Sequence, residues 1–348
     1  MQFIQQKLIQ GLPAGYTSTI TQPEDAEQIA KMWAAVGDYL GQTRQYDPNE
    51  IRSDWETPDY HLQESSRCVR NEDGDVVGYL NLWDNANPPL HPHVSFGIHP
   101  DHFDAGIGEP MLQWAEARAR QAIDRCPPEV RVSMLMSSNL KNQPIIDTME
   151  SYGLKAIRYF FRMIINMTEA PPKPQLPEGY IIRPMKFPEE LEATIRADDA
   201  GFKDHWGYME SSWEDLLKEW NHHVETDKYF DPDLWFLAIE EATGEIAGIS
   251  LCRNEAWAEP SLAYVMDLCV LREHRKKGLA LALLHHSFGE FWQRGRKDVA
   301  LHVDGSSLTG AVRLYERAGM HQDETTAQYE LLLREGEELM TTAIDQKD

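Results

Sequence analysis

The chain has 348 residues, a formal net charge of −24 and a sequence pI near 4.9, with 42% hydrophobic and 26% charged residues. That length exceeds one common core, so about two domains are expected, and the acidity argues against a nucleic-acid or anionic-membrane surface. No run approaches the ~18 apolar residues of a membrane span, the N-terminus has neither a basic start nor a long apolar stretch, and Cys68, Cys126, Cys252 and Cys269 lack CxxC spacing. A cytoplasmic protein with reduced thiols and no metal is the expectation.

The first half carries "GLPAGY" ending at Tyr16, "GDVVGYL" from Gly74, a glycine turn "FDAGIG" over Phe103 to Gly108, and "SYGL" around Gly153. A proline-rich stretch follows, Thr168 to Gly179, which excludes helix or central strand and reads as a linker. Beyond it the same landmarks return: "QLPEGY" ending at Tyr180, "GEIAGIS" from Gly244, Gly278, and "RAGM" around Gly319. The offsets are 164, 170, 172 and 166 residues, which predicts a duplicated domain. The expected division is residues 1–168, a linker over 169–178, a second domain over 179–335 and an acidic, solvated tail over 336–348.

In the second half "YIIRP" reads as a strand, and helices are expected from Pro188 to Gly201 and from Ser211 to about His223. "LWFLAIEE", "IAGISLCRN" and "SLAYVMDLCV" read as a β-meander. Leu279, Leu283, Leu284, Ser287 and Phe291 fall near helical spacing, then "DVALHV" is a strand, "LTGAVRLYERAG" a helix closed by Gly319, and "AQYELLL" a final strand. The fold class is α+β, an α/β/α sandwich in which each half is a mixed, mostly antiparallel sheet flanked by helices.

Between "VMDLCV" and its helix lies a basic knot, five cations from Arg272 to Lys277 counting His274. Amides at a helix start carry unpaired donors and the positive end of the helix dipole, so the site suits a phosphate, with Gly278 allowing close backbone approach and Arg275, Lys276 and Lys277 adding charge. "RKKGLA", Arg275 to Ala280, resembles the R/Q-x-x-G-x-G/A loop of the GCN5-related N-acetyltransferases (GNAT), and "LYERAGM" resembles a later helix of that family. The tandem arrangement and "GFKDHWGY" from Gly201 are similar to its mycothiol synthase-like members.

The resemblance implies that acetyl-CoA is a co-substrate, with pantetheine along Leu268, Cys269 and Val270 and diphosphate on Lys276, Lys277, Gly278, Leu279 and Ala280. Ser307 stands where the family often has Asn against the cofactor arm. Tyr315 is the expected acid for the leaving thiolate, because a phenol stays protonated near neutrality. Asp267 is the candidate acceptor of the amine proton, or else a structural partner of His302 or a basic neighbour. Phe202, His205 and Trp206 are expected to border the acceptor, or to pack in the core. Cys269 reads as buried packing rather than a nucleophile. In the first half Phe103 and Asp104 replace the cations, and Met149 stands opposite Tyr315, so that domain is expected to be degenerate.

The function expected is direct acetyl transfer from acetyl-CoA to a primary amine of a small molecule, by a monomer or homodimer. A CoA-binding sensor or a transferase with another acyl donor are the alternatives. Residues 1–168 carry −8 and residues 169–348 carry −16, which suits a cationic acceptor and equally suits solubility.

Overall fold

The computed structural model describes residues 8–307 and 310–342. The chain folds into two compact units, one of Met1–Tyr159 with Thr326–Leu339, the other of Phe160–Thr325 with Met340–Asp348. In chain order the elements are β1 (Thr17–Ile20), α1 (Ala26–Tyr39), α2 (Pro48–Asp54), α3 (Leu62–Ser65), β2 (Ser66–Arg70), β3 (Val76–Trp83), β4 (His93–Ile98), α4 (Gly108–Ala119), β5 (Val132–Asn139), α5 (Gln143–Tyr152) and β6 (Lys155–Asn166). There follow β7 (Tyr180–Pro184), α6 (Leu191–Phe202), α7 (Trp213–Thr226), β8 (Trp235–Glu240), β9 (Ile246–Arg253), β10 (Leu262–Val270), α8 (Leu279–Gln293), β11 (Asp298–Asp304), α9 (Ala311–Arg317) and β12 (His321–Arg334).

The first unit has the strand order β1, β2, β3, β4, β5, and then the Thr326–Arg334 part of β12, antiparallel to β5. In the second unit the Phe160–Asn166 part of β6 pairs with β11, followed by β10, β9, β8 and β7. The strand "AQYELLL", read from sequence as the last of the second half, therefore belongs to the first unit's sheet. The proline-rich segment lies wholly within the second unit, where Met167 is buried and its N–H donates to Lys297 O at 2.8 Å.

Alternation along β8 separates two cores: Phe236 and Ala238 join α8 residues Leu283, Leu284, Phe288 and Phe291, whereas Trp235, Leu237 and Ile239 join Leu191 and Ile195 of α6. The period of two along the strand meets helix stripes on both faces, which makes a three-layer unit. Gly201 of α6 lies so close to Cys269 of β10 that a built Cβ would collide with the sulfur. Only glycine lets that helix sit on that strand.

The segment expected to be a solvated tail is in part held down. Arg131 N–H donates to Glu337 O and Glu337 N–H to Glu129 O, both at 2.8 Å, within the first unit. In the second, Gly207 N–H donates to Thr341 O at 2.9 Å and Thr341 N–H to Tyr208 O at 2.8 Å. Among the described residues no helix is long and apolar enough to cross a membrane.

Candidate active site

β10 and β11 are parallel neighbours only over Leu262–Tyr264 and Asp298–Ala300. β10 runs on to Val270 and β11 to Asp304, so beyond Tyr264 the two strands part. A register shift between Val265 and Asp267 marks a bulge in β10, a feature that bends a strand and redirects its polar groups. Two cavities open at this place. One, about 900 Å³, extends from Leu268–Val270 to the Arg275–Ala280 loop and the start of α8. The other, about 430 Å³, lies between the Phe202–Tyr208 loop and the end of β11. His205, Leu268, Ala311 and Tyr315 line both.

The loop is preformed. Gly278 is the N-cap of α8 with φ +93°, and nothing stands within 4 Å of where its Cβ would be, so glycine is required there for conformation and not for room. The first amides of α8 have no partner within the helix and face a cavity large enough for an extended anionic ligand. Lys276, exposed, also has positive φ, +63°.

The cations are used differently from the sequence expectation. Arg275 donates to Asp204 Oδ2 at 2.5 Å, Val270 O at 2.9 Å and Gly201 O at 3.3 Å. Its charge is thus paired with a carboxylate inside the protein, while the residue also lines the larger cavity. Arg272, expected merely to precede the motif, makes a two-pronged pair with the same carboxylate. The Arg272 bond first, and then that from Arg275, holds the buried Asp204 well below the usual carboxylate range. Lys277 donates to Tyr180 Oη at 2.7 Å, and Tyr180 in turn bonds His274 Nδ1 at 2.9 Å. Lys276 is left as the cation of the loop for which no such partner is seen among the described residues.

Tyr315 is 7% exposed, and burial first, then the nearby Asp267 carboxyl, pushes its phenol further up. It stays protonated through the neutral range. Asp267 lines neither cavity. Its carboxyl is pushed up by burial, and its charge acts on Asp198 of α6, whose Oδ1 is buried with no hydrogen-bond partner. Burial first, and then the Asp267 charge, favours the protonated form of Asp198. The Asp267 charge also acts on the Tyr315 phenol, so Asp267 stands near the junction without lining either cavity, and His302 bonds Tyr264 Oη at 2.6 Å. Cys269 is buried, lies 3.6 Å from Ala197 O, and has its thiol pushed well up by burial, the state of an inert packing cysteine.

Phe202, His205 and Trp206 line the smaller cavity with Phe160 and Tyr208. Ser307, expected at the cofactor arm, also lines this smaller cavity and not the larger one. Sequence reading missed Asp204, Asp198 and Thr341. Their partners are distant in the chain, 68 residues in the case of Arg272 and Asp204, and no local pattern joins them. Among the described residues no group of three or more His, Cys, Asp or Glu side chains could hold a metal ion.

The first unit repeats the joint with other residues. β4 and β5 pair in parallel only at His93–Val94, and Gly106 takes φ +73°. Met149, fully buried, stands in the place of Tyr315, and Phe103 packs on Tyr39 where Arg275 bonds Asp204.

A sequence profile described as the Acetyltransferase (GNAT) family matches residues 32–144 and 205–320. The chain belongs to the GNAT acetyltransferase family. GNAT enzymes take acetyl-CoA as co-substrate, and this chain is such an acetyltransferase with two GNAT regions. A mycothiol acetyltransferase of Mycolicibacterium vanbaalenii is 27% identical over 272 residues, 77% of this chain and 83% of the relative. One from Salinispora arenicola is 26% identical over 306 residues, 87% and 92% of the two chains. The crystal structure of a GCN5-related N-acetyltransferase from Sphaerobacter thermophilus superposes with TM-score 0.79 at 28% identity, over 94% of this GNAT chain and 99% of the other. A tandem GNAT protein from the clavulanic acid biosynthesis pathway shares the fold, with TM-score 0.67 at 14% identity over 92% and 100%.

Proposed function

We propose that the second unit transfers the acetyl group of acetyl-CoA directly to a primary amine of a small molecule, and that the first unit does no chemistry. The observation that carries this reading is the place of Tyr315, a protonated phenol lining both the cavity at the start of α8 and the smaller one beside it. The larger takes the CoA moiety, its diphosphate on the amides from Lys276 to Ala280 with the Lys276 ammonium beside it, and its pantetheine along the edge of β10 from Leu268 to Val270. The thioester then lies at the junction, where a backbone N–H near Leu268 faces the developing oxyanion and Tyr315 gives a proton to sulfur.

The smaller cavity takes the acceptor. Phe160, Phe202, Trp206 and Tyr208 give it aromatic walls, and Asp204, His205, His302, Asp304 and Ser307 give it polar groups. Such a lining suits a ring with one apolar face and several hydroxyls, so an amino sugar or a conjugate of one is the acceptor class we favour. The names of the mycothiol acetyltransferase relatives point the same way.

Thiol release from acetyl-CoA, measured against amino sugars, cysteinyl amino-sugar conjugates, polyamines and aminoglycosides, tests the reading. It is supported by turnover with the first two classes and a loss of about 10²-fold or more in kcat for Tyr315→Phe. Unchanged turnover in Tyr315→Phe, with activity abolished by changes in the Phe103–Gly108 loop, would overturn it.

A further inference from the structure

In the acetyl-transfer reading the amine proton needs an acceptor at the junction of the two cavities, and Asp267 lines neither of them. Four residues line both, and of these Leu268 and Ala311 have no titratable group. We infer that His205 takes the proton from the attacking amine while Tyr315, its counterpart at the same junction, protonates the leaving sulfur. The inference rests on the acetyl-transfer reading and adds to it the second half of the proton traffic.

The other ionisable groups around the acceptor cavity are less suited. Asp204 is locked to two arginines. Tyr208 donates its hydroxyl to Asp199 Oδ1 at 2.8 Å. His302 and Asp304 line the acceptor cavity and not the cofactor cavity. His205, by contrast, is held with its ring edge-on to Phe202 at 4.4 Å between centroids. Its loop is fixed before it by the Asp204 pairs and after it by the Gly207 and Tyr208 bonds to Thr341. A base needs such fixing to meet a nitrogen within hydrogen-bond reach.

The charges facing His205 are Arg275 from the loop before α8, Asp204 from its own loop and Asp304 from β11. Burial first, then Arg275, lowers the imidazole from its ordinary value against the opposite pull of the two carboxylates. It is therefore neutral, and able to accept, at neutral pH. In the step itself the amine nitrogen bonds to the thioester carbonyl carbon as the carbon–sulfur bond breaks. The nitrogen proton goes to His205, the Tyr315 proton goes to the CoA thiolate, and the imidazolium then returns a proton to the phenolate through water. The sum is amine plus acetyl-CoA to amide plus free thiol, with no other reactant.

The test is kcat against pH for the full chain and for His205→Gln, His205→Ala and Asp267→Asn, with acetyl-CoA affinity measured by calorimetry on each. The wild type is expected to lose rate in acid with a midpoint below the ordinary histidine value of ~6.5. His205→Gln should lower kcat by about 10²-fold at pH 7, lose that acid limb and keep its acetyl-CoA Kd within about twofold. Added imidazole should restore part of the rate to His205→Ala, and Asp267→Asn should keep the limb. An acid limb retained in His205→Gln, or removed by Asp267→Asn, overturns the assignment while leaving acetyl transfer standing. A wild type that releases no thiol with any amine overturns both.

Discussion

At the joint between β4 and α4 in the first unit, and between β10 and α8 in the second, the chain makes the same turn through Gly106 and Gly278, both left-handed. A tyrosine–histidine bond supports the turn in each, Tyr16 to His102 at 2.8 Å and Tyr180 to His274 at 2.9 Å. What pins the loop to the helix-end segment differs: an aromatic pair, Tyr39 and Phe103, in one, and Asp204 with Arg272 and Arg275 in the other. The contact between helix and strand is also reversed. Gly97 on β4 receives Trp33 of α1, a built Cβ meeting that ring at 2.6 Å, whereas on the second side glycine is on the helix, Gly201, and the side chain on the strand, Cys269. The glycine turn and the Tyr–His bond therefore belong to the fold, since the unit with Met149 keeps them. In our proposal Tyr315, His205 and the ion-paired loop carry the chemistry.

Activity should break this comparison most sharply. Tyr315→Phe is expected to lower kcat by about 10²-fold or more, while Met149→Leu, a swap of similar volume, should leave kcat unchanged and cost less than ~1.5 kcal/mol in stability. Equal effects on thiol release would mean that the units share the chemistry.

The two pins come next. Asp204→Asn strands two guanidinium groups and should destabilise by about 2 kcal/mol, a figure reduced because the Arg272 side chain is 57% exposed, and should weaken acetyl-CoA binding. Phe103→Leu should cost about 1 kcal/mol and leave that binding intact. Because Asp204 has its carboxyl lowered in the folded chain, its contribution is full above the unfolded value of ~3.9 and fades as pH falls through the folded one. Urea melts of wild type and Asp204→Asn should therefore differ by a constant amount above about pH 5 and converge in stronger acid.

Gly201→Ala and Gly97→Ala each place a methyl group against a filled position, at a cost of about 1–3 kcal/mol in thermal melts. Cys269→Ala removes the sulfur but keeps the Cβ at 2.6 Å, so it should relieve the first only in part and leave the second as it was. The smallest and most even effect is expected from Tyr16→Phe and Tyr180→Phe, about 1 kcal/mol each. A clear inequality between those two would assign the Tyr180 bond, with Lys277 on it, to cofactor binding as well as to the fold.

Much of this was legible in the sequence where the signal is local. Glycine at 106 and 278, the strand before each loop, the amphipathic helix after it and the helix bearing Tyr315 are written in consecutive residues, and the family resemblance adds the CoA loop. The rest depends on what meets what. That the Asp267 charge acts on Asp198 of α6, and that Arg275 pairs with Asp204 of the loop after α6, is written in no local stretch of sequence. Thr341 looks like tail because a backbone bond to Gly207 leaves no mark on composition.

The strand exchange has a consequence for how the chain is made. Val132–Asn139 acquires its outer ladder partner only from Thr326–Arg334, so the first unit's sheet is unfinished until Arg334 has left the ribosome. Folding cannot proceed as two successive domains, and an early stop codon would damage the half that was synthesised first. Excising residues 1–159 would likewise leave the Thr326–Arg334 strand without β5. A gene of this design cannot shed its first half by a simple deletion.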